Sequence, residues 1–405
     1  AMVLSGMVHR EVVAPMQRMV SLVTSFARDP LKPLTPADPH TVHSLRETLI
    51  VQNALVKFGS LLQLGFGEAG AEMLSRQMED GVPMAHNLHA LSGRLNSGKV
   101  VHAFFGFCDI RYFTDLTEVL QADVVRVVNT VARHVHTAAS DNYGAPNKNM
   151  GDAFLVVWKS KGGIGVRTVA DAALRSFIRT VLEVSADKEL AKMSRRPEVQ
   201  TRLPGFRVRM GFGLHYGWAI ECAIGSNKKI DASYISPHVN LSSRLEAATK
   251  QYGVELLLSG QTHGLFSPNV QSLCRLVDRV TVKGTLTPME LFTYDVPSTK
   301  VNGVSVVDDE FVSSPSTSTM QFFAALQPAT SERFRLTFRA AMDNYLGGAD
   351  GSRADWKKAM TLFQHCLLAE PHDGPTQAVR AYIMKRQRID GSCPSNWGGF
   401  RGLDS

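Results

Sequence analysis

Two aspartates, each next to an apolar run, constrain this chain more than any other feature. Asp109 ends the run Phe104-Phe-Gly-Phe-Cys-Asp109 and leads into Ile110-Arg-Tyr-Phe-Thr114. Asp152 follows Gly151, between the polar stretch Pro146–Asn149 and the apolar stretch Ala153–Trp158. The Val- and Phe-rich segment Lys99–Phe107 suits one buried strand and is too short for a self-supporting helix. Residues 146–158 read as a hairpin with Gly151-Asp152 at its tip. If the two strands are neighbours, both carboxylates project from one edge of one sheet. A hard divalent cation held against nucleotide phosphates needs such an arrangement, with one or two carboxylates and the remaining ligands from water and phosphate. Taken singly, each aspartate reads as well as a helix cap or a turn residue.

Composition suits a water-soluble enzyme. With 405 residues, 44% apolar and 20% charged, the chain can bury one sizeable core plus smaller appendages. No apolar stretch approaches the ~18 residues that span a bilayer, and no signal peptide opens the chain. Five scattered cysteines without a Cys-x-x-Cys pair read as reduced thiols of a cytosolic protein. A net charge of +7, spread along the chain, does not point to nucleic-acid binding.

Periodicity divides the chain into five parts. Ala1-Met2 reads as a cloning remnant, so the chain is expected to be a piece of a longer protein. Residues 1–40 form a helix with Val12, Met16, Met19, Val20 and Val23 at helical spacing, then a Pro-rich linker. Residues 41–98 form coupling helices, with Leu45, Leu49, Val56, Leu62 and Phe66 on one side. Residues 99–297 alternate strand and helix patterns. A strand at 99–108 is followed by Thr114 as a helix N-cap, a helix over 123–140, the hairpin 146–158 and a long helix over 166–193. Arg207–His215 and Ala219–Gly225 flank Tyr216-Gly-Trp218 as a second hairpin, and a helix then runs from Val239 to Tyr252. Short strands follow at 255–258, 275–282 and 289–294. The orders β-α-α-β-β and β-β-α-β predict an α+β fold with a ferredoxin-like (βαββαβ-related), mostly antiparallel sheet. Residues 298–320 read as a linker. Residues 321–405 form a small helical appendage, with Phe334, Phe338, Met342 and Tyr345 on one helix, Trp356 to Cys366 on a second, and Trp397 and Phe400 expected to be buried.

Four segments together carry a family resemblance: Phe107-Cys-Asp-Ile-Arg-Tyr-Phe-Thr114, Lys148-Asn-Met-Gly-Asp152, Val239-Asn-Leu-Ser-Ser-Arg-Leu-Glu246 and Val282-Lys283-Gly284. In this order they resemble the catalytic domain of class III adenylyl cyclases, of the kind found in membrane-linked cyclases of single-celled eukaryotes. Val-x-x-Pro-Met-x-Arg-Met near the start resembles the first helix of a HAMP-type linker, which would place a membrane or sensor region upstream and the catalytic domain at a cytoplasmic membrane face. The rival reading is an ordinary amphipathic helix.

The resemblance implies conversion of ATP to 3′,5′-cyclic AMP and pyrophosphate. It assigns Asp109, Asp152 and the Ile110 carbonyl to two Mg²⁺ ions, for which Mn²⁺ can substitute. Phe113 and Thr114 fall where the family wraps the phosphates, beside Tyr112 where the family usually has Gly. Lys148 falls at the purine-reading position, where Lys suits adenine and Glu suits guanine. Ser233, seven residues before Asn240, falls at the second reading position. Asn240 orients the ribose, Arg244 stabilises charge on the α-phosphate, and Lys283 binds the β- and γ-phosphates. In the family the metal set comes from one domain and the Asn/Arg/Lys set from another. One cyclase domain carrying both sets therefore implies a head-to-tail homodimer with two shared sites. Lys148 and Ser233 argue against a guanylyl cyclase. The filled polar roles argue against a catalytically silent regulatory module, and no Gly-Gly-Asp/Glu-Glu-Phe motif points to a diguanylate cyclase.

Overall fold

The computed structural model describes residues 98–403 apart from 161, 227–228, 283–286, 298–299, 302–303, 306–308 and 315–316, with scattered positions before 98. The helices expected over 1–40 and 41–98 therefore lie almost wholly outside the described residues. By compactness the chain forms two units, one of residues 1–100 with 220–235, the other of 101–219 with 236–405.

The elements follow the apolar patterning. β1 (Lys99–Ile110) is followed by α1 (Phe113–Leu120), α2 (Val124–Ser140), β2 (Gly144–Met150), β3 (Ala153–Lys159) and α3 (Val166–Ala186). Short helices α4 (Lys188–Ser194) and α5 (Pro197–Arg202) lead into β4 (Met210–Ser226), β5 (Lys229–Ile235) and α6 (Pro237–Tyr252). β6 (Leu256–Ser259), β7 (Arg275–Val282) and β8 (Met289–Thr293) complete the segment. The sheet order is β7-β8-β6-β4-β1-β3-β2, with β5 pairing with β4 and a terminal strand, Arg401–Leu403, running parallel to β7. This is a mixed α+β fold with one mostly antiparallel sheet, as the order of elements predicts.

Alternation along β6 shows how the sheet is covered. Leu256 and Leu258 join the core built with α2 and α3, while Leu257 joins the core under α6. Successive strand residues face opposite sides, so α6 and the α2–α3 pair cover opposite faces of the sheet.

Three expectations need correction. The helix expected over 166–193 breaks at Asp187, whose extended backbone and side-chain bonds to the Glu189 and Leu190 N–H groups start a new helix. Tyr216-Gly217-Trp218 is no turn but the middle of the continuous strand β4. A Cβ on Gly217 would stand 2.3 Å from the His238 ring, so this glycine admits a close neighbour instead of bending the chain. Thr114 is no N-cap: α1 starts at Phe113 behind Tyr112, and Thr114 lies exposed in the first turn.

Beyond the sheet, α7 (Glu332–Leu346), α8 (Trp356–Ala369) and α9 (Gly374–Arg386) share a core of Phe334, Phe338, Met342, Tyr345, Trp356 and Phe363. Trp397 packs on it as expected, whereas Phe400 is exposed. Among the described residues no helix is long and apolar enough to cross a membrane.

Candidate active site

β1 and β3 pair antiparallel with Asp109 opposite Ala153, which brings Asp109 to the β2–β3 tip. Gly151 takes a φ of +73° there, the conformation a tight two-residue connection asks of glycine. The Ile110 N–H donates to the Asp152 carbonyl at 3.2 Å and fixes the two segments together. Burial first, then the Glu246 charge and a hydrogen bond with Asp152, push the Asp109 carboxyl up to about 7, against the pull of Lys250. Two carboxyl groups thus converge within hydrogen-bond reach, next to the backbone of Ile110. An all-oxygen donor set of this kind fits Mg²⁺ or Mn²⁺ and does not favour softer ions.

Tyr112 sits in the left-handed region, at φ 58° and ψ 31°, and its side chain makes no capping bond. The first-turn N–H groups of α1 therefore meet no side-chain acceptor from their cap, an arrangement suited to anions. Glycine adopts this backbone without penalty, whereas a residue with a Cβ does not.

α6 starts where Ser236 caps it, its hydroxyl accepting from the His238 N–H. It lies directly on β4, since a Cβ on Gly213 would stand 2.1 Å from the Ser242 carbonyl oxygen. Ser242, Glu246 and Thr249 are buried on this side. Arg111 crosses from β1 beneath the helix, donating to Glu246 at 2.6 Å and to the Thr249 hydroxyl. Gly211 makes room for it, because a Cβ there would collide with the Arg111 guanidinium. Burial raises the Glu246 carboxyl, opposed by Arg111 and Lys250. Lys250 Nζ stands 3.9 Å from Asp109 Oδ2.

Asn240 is exposed and Arg244 half-buried. At about 100° per residue, Arg244 projects about 160° from Glu246 and about 120° from Lys250. Asn240 projects about 120° and about 80° from them, so Arg244 in particular faces away from the side that approaches Asp109. Lys148 is half-buried on β2, just after a register shift between Pro146 and Lys148. Ser233 is buried on β5, opposite Cys222 in the β4–β5 hairpin. Lys283 lies outside the described residues. The structure thus brings Asp109, Ile110 and Asp152 together and sets Asn240 and Arg244 side by side on one helix.

Residues 100–297 match the family model described as the adenylate and guanylate cyclase catalytic domain. This segment belongs to the class III nucleotidyl cyclases. An adenylate cyclase of Anabaena cylindrica is 31% identical over 181 residues, covering 44% of this chain and 34% of that protein. The terminal-differentiation-specific adenylate cyclase of Dictyostelium discoideum is 26% identical over 276 residues, covering 67% of this chain and 11% of that protein. The chain thus spans about a third or less of the length of these curated relatives. A solved bacterial light-regulated adenylyl cyclase is similar at 19% identity and a TM-score of 0.46, covering 68% of this chain and 69% of that one. Residues 1–79 match a second model, described as the RasGEFs all helical domain.

Within the cyclase domain, sequence reasoning passed over Arg111, Glu246 and Lys250. The glycines at 211 and 213 carried the signal, since two glycines in a buried strand mark close approach by another group.

Proposed function

We propose that this protein is an adenylyl cyclase, converting ATP to 3′,5′-cyclic AMP and pyrophosphate at sites shared by two copies of the chain. The convergence of the Asp109 and Asp152 carboxyls at one sheet edge carries the reading. Domains of this family use a divalent metal, and Asp109, Asp152 and the Ile110 carbonyl would hold Mg²⁺ here, two ions per site. When bound, the metal would supply charge neutralisation that favours deprotonation of the attacking 3′-hydroxyl and departure of pyrophosphate.

The remaining work falls to groups of the chain itself, because phosphoryl transfer depends on positioning and charge. Lys148 donates to adenine N1, and the Ser233 hydroxyl both donates and accepts at the exocyclic amine. Asn240 holds the ribose and Arg244 meets charge developing on the α-phosphate, where losing such a donor costs on the order of 10²–10³ in rate. Phe113 and Thr114 supply backbone N–H groups to the phosphates, and Lys283 adds a point charge.

The homodimer has support in the geometry of α6. The side that approaches Asp109 is filled by Glu246, Thr249 and Lys250, so Asn240 and Arg244 serve a nucleotide held by a second copy. A longer protein with a membrane or sensor region upstream would set the angle between the two copies.

Incubating the protein with Mg²⁺ or Mn²⁺ and either ATP or GTP, with product identified by mass, tests the reading. Cyclic AMP from ATP is expected. Cyclic GMP alone would overturn the base assignment, and no product from either nucleotide would favour a silent regulatory module.

A further inference from the structure

The segment beyond the family match grips the far end of α6. The helix ends at Tyr252, followed by Gly253 in the left-handed region at φ 62°. α9 begins against that end, where a Cβ on Gly374 would stand 2.1 Å from the Tyr252 carbonyl oxygen and 2.9 Å from Gly253 Cα. Asp373 caps α9, accepting from the Thr376 N–H at 2.9 Å, and also pairs with Arg275 Nη2 at 2.6 Å. Arg275, on β7, is nearly fully buried and binds Asp295 through two bonds of 2.8 Å.

A second grip acts from the side. The Tyr252 hydroxyl donates to Asp278 Oδ2 at 2.8 Å, and Arg401 Nε donates to the same oxygen at 2.7 Å. The Arg401 guanidinium stands 5.3 Å from the Tyr252 ring centre and 4.9 Å from that of Tyr382 on α9. Asp278 is fully buried, so its charge requires both partners. Buried ionic contacts of this kind tolerate one geometry, and loosening either partner leaves a charge unpaired.

We propose that residues 331–403 position α6 for catalysis, with Tyr252, Asp278, Gly374 and Arg401 as positioning residues. The inference rests on the role given above to Arg244. Arg244 lies eight residues before Tyr252, about 12 Å along the helix. A tilt of about 5° at the gripped end therefore moves it by about 1 Å, enough to cost roughly 10²-fold in rate. The interaction lost is one made in the transition state, so turnover should fall while substrate binding holds.

The test compares Gly374→Ala, Arg401→Met and Arg401→Lys with Phe363→Leu, a change in the same helical core away from α6. Each is assayed well below its own Tm for kcat and KM, and by amide hydrogen exchange across residues 244–252. Gly374→Ala and Arg401→Met should lower kcat about 10- to 100-fold with KM within about threefold, and should speed exchange in α6. Arg401→Lys should recover part of the turnover, and Phe363→Leu should lower Tm with kcat near wild type. Turnover that simply follows Tm across all four, or α6 exchange unchanged in Arg401→Met, would overturn the proposal. If the wild-type protein forms no cyclic nucleotide, the functional reading fails, and exchange in α6 still decides whether the grip exists.

Discussion

Arg111 Nη1 donates to Glu246 Oε1 at 2.6 Å, and this bond joins the strand that carries Asp109 to the helix that carries Arg244. Both side chains are almost fully buried. In a dimer of the proposed kind, Asp109 and Arg244 of one protomer serve different sites, so the Arg111–Glu246 pair ties together the halves that one protomer lends to each.

The pair should behave as a buried ion pair. Arg111→Met strands the Glu246 charge and should cost about 3–5 kcal/mol of stability. Arg111→Met with Glu246→Leu should cost clearly less than the sum of the single changes, because no charge is then left alone. Urea unfolding of the four proteins gives the coupling. A coupling energy near zero would show that Arg111 and Glu246 stabilise the domain independently.

Tyr112 gives a second expectation. A left-handed backbone costs a residue with a Cβ about 1–2 kcal/mol, and glycine escapes it. The Tyr112 ring is more than half exposed, with an edge contact to Phe206 at 6.4 Å as partial compensation. Tyr112→Gly should therefore gain up to about 1 kcal/mol in chemical denaturation, while the β-branched Tyr112→Val should lose at least as much. A gain in Tyr112→Val would contradict the backbone account.

His215 sets a pH dependence. Burial, and then the neighbouring His238, push its pKa down to about 3. Its ring nitrogens meet Ser259 Oγ at 2.7 Å and His238 Nδ1 at 2.8 Å. A histidine kept neutral in the fold contributes stability that is full above about pH 6.5 and is lost as pH falls toward its folded pKa. Between pH 7 and 5 this amounts to about 2 kcal/mol. His134 works in the opposite sense: burial disfavours its charge, but Glu183 and Asp187 prevail and raise its pKa, so its contribution fades as pH rises. Comparing wild type with His215→Gln isolates the first effect, and an equal loss on acidification in both would remove His215 as its source.

Much of the cyclase domain was legible because its signals are local. The apolar runs at 99–107 and 153–158, the Gly151 turn and the Ser236-Pro237 start of α6 each fixed an element within a residue or two. What escaped was carried by contacts distant in sequence. Gly217 read as a turn because no local pattern announces His238 across the strand, and the helix over 166–193 hid the Asp187 break because its apolar period continues through it. Arg111 read as part of a motif, and only the packing of α6 on β4 reveals its partner 135 residues away. The appendage was legible as helices, yet its attachment runs through Arg275, Asp373 and Arg401, charges that a sequence shows only as polar residues.

The shared site makes a sharp prediction. Asp109→Ala and Arg244→Ala should each abolish cyclic AMP formation, since each homodimer then spoils both of its sites. Mixed and allowed to exchange, the two proteins form heterodimers in which one site combines both defects and the other combines neither. Random pairing puts half the dimers in this class with one of two sites intact, so activity should return to roughly a quarter of wild type. Exchange is checked separately with fluorescently labelled protomers. With exchange shown, no recovery would mean that Asp109 and Arg244 act within one chain. The placement of Arg244 on the side of α6 away from Asp109 would then need another explanation.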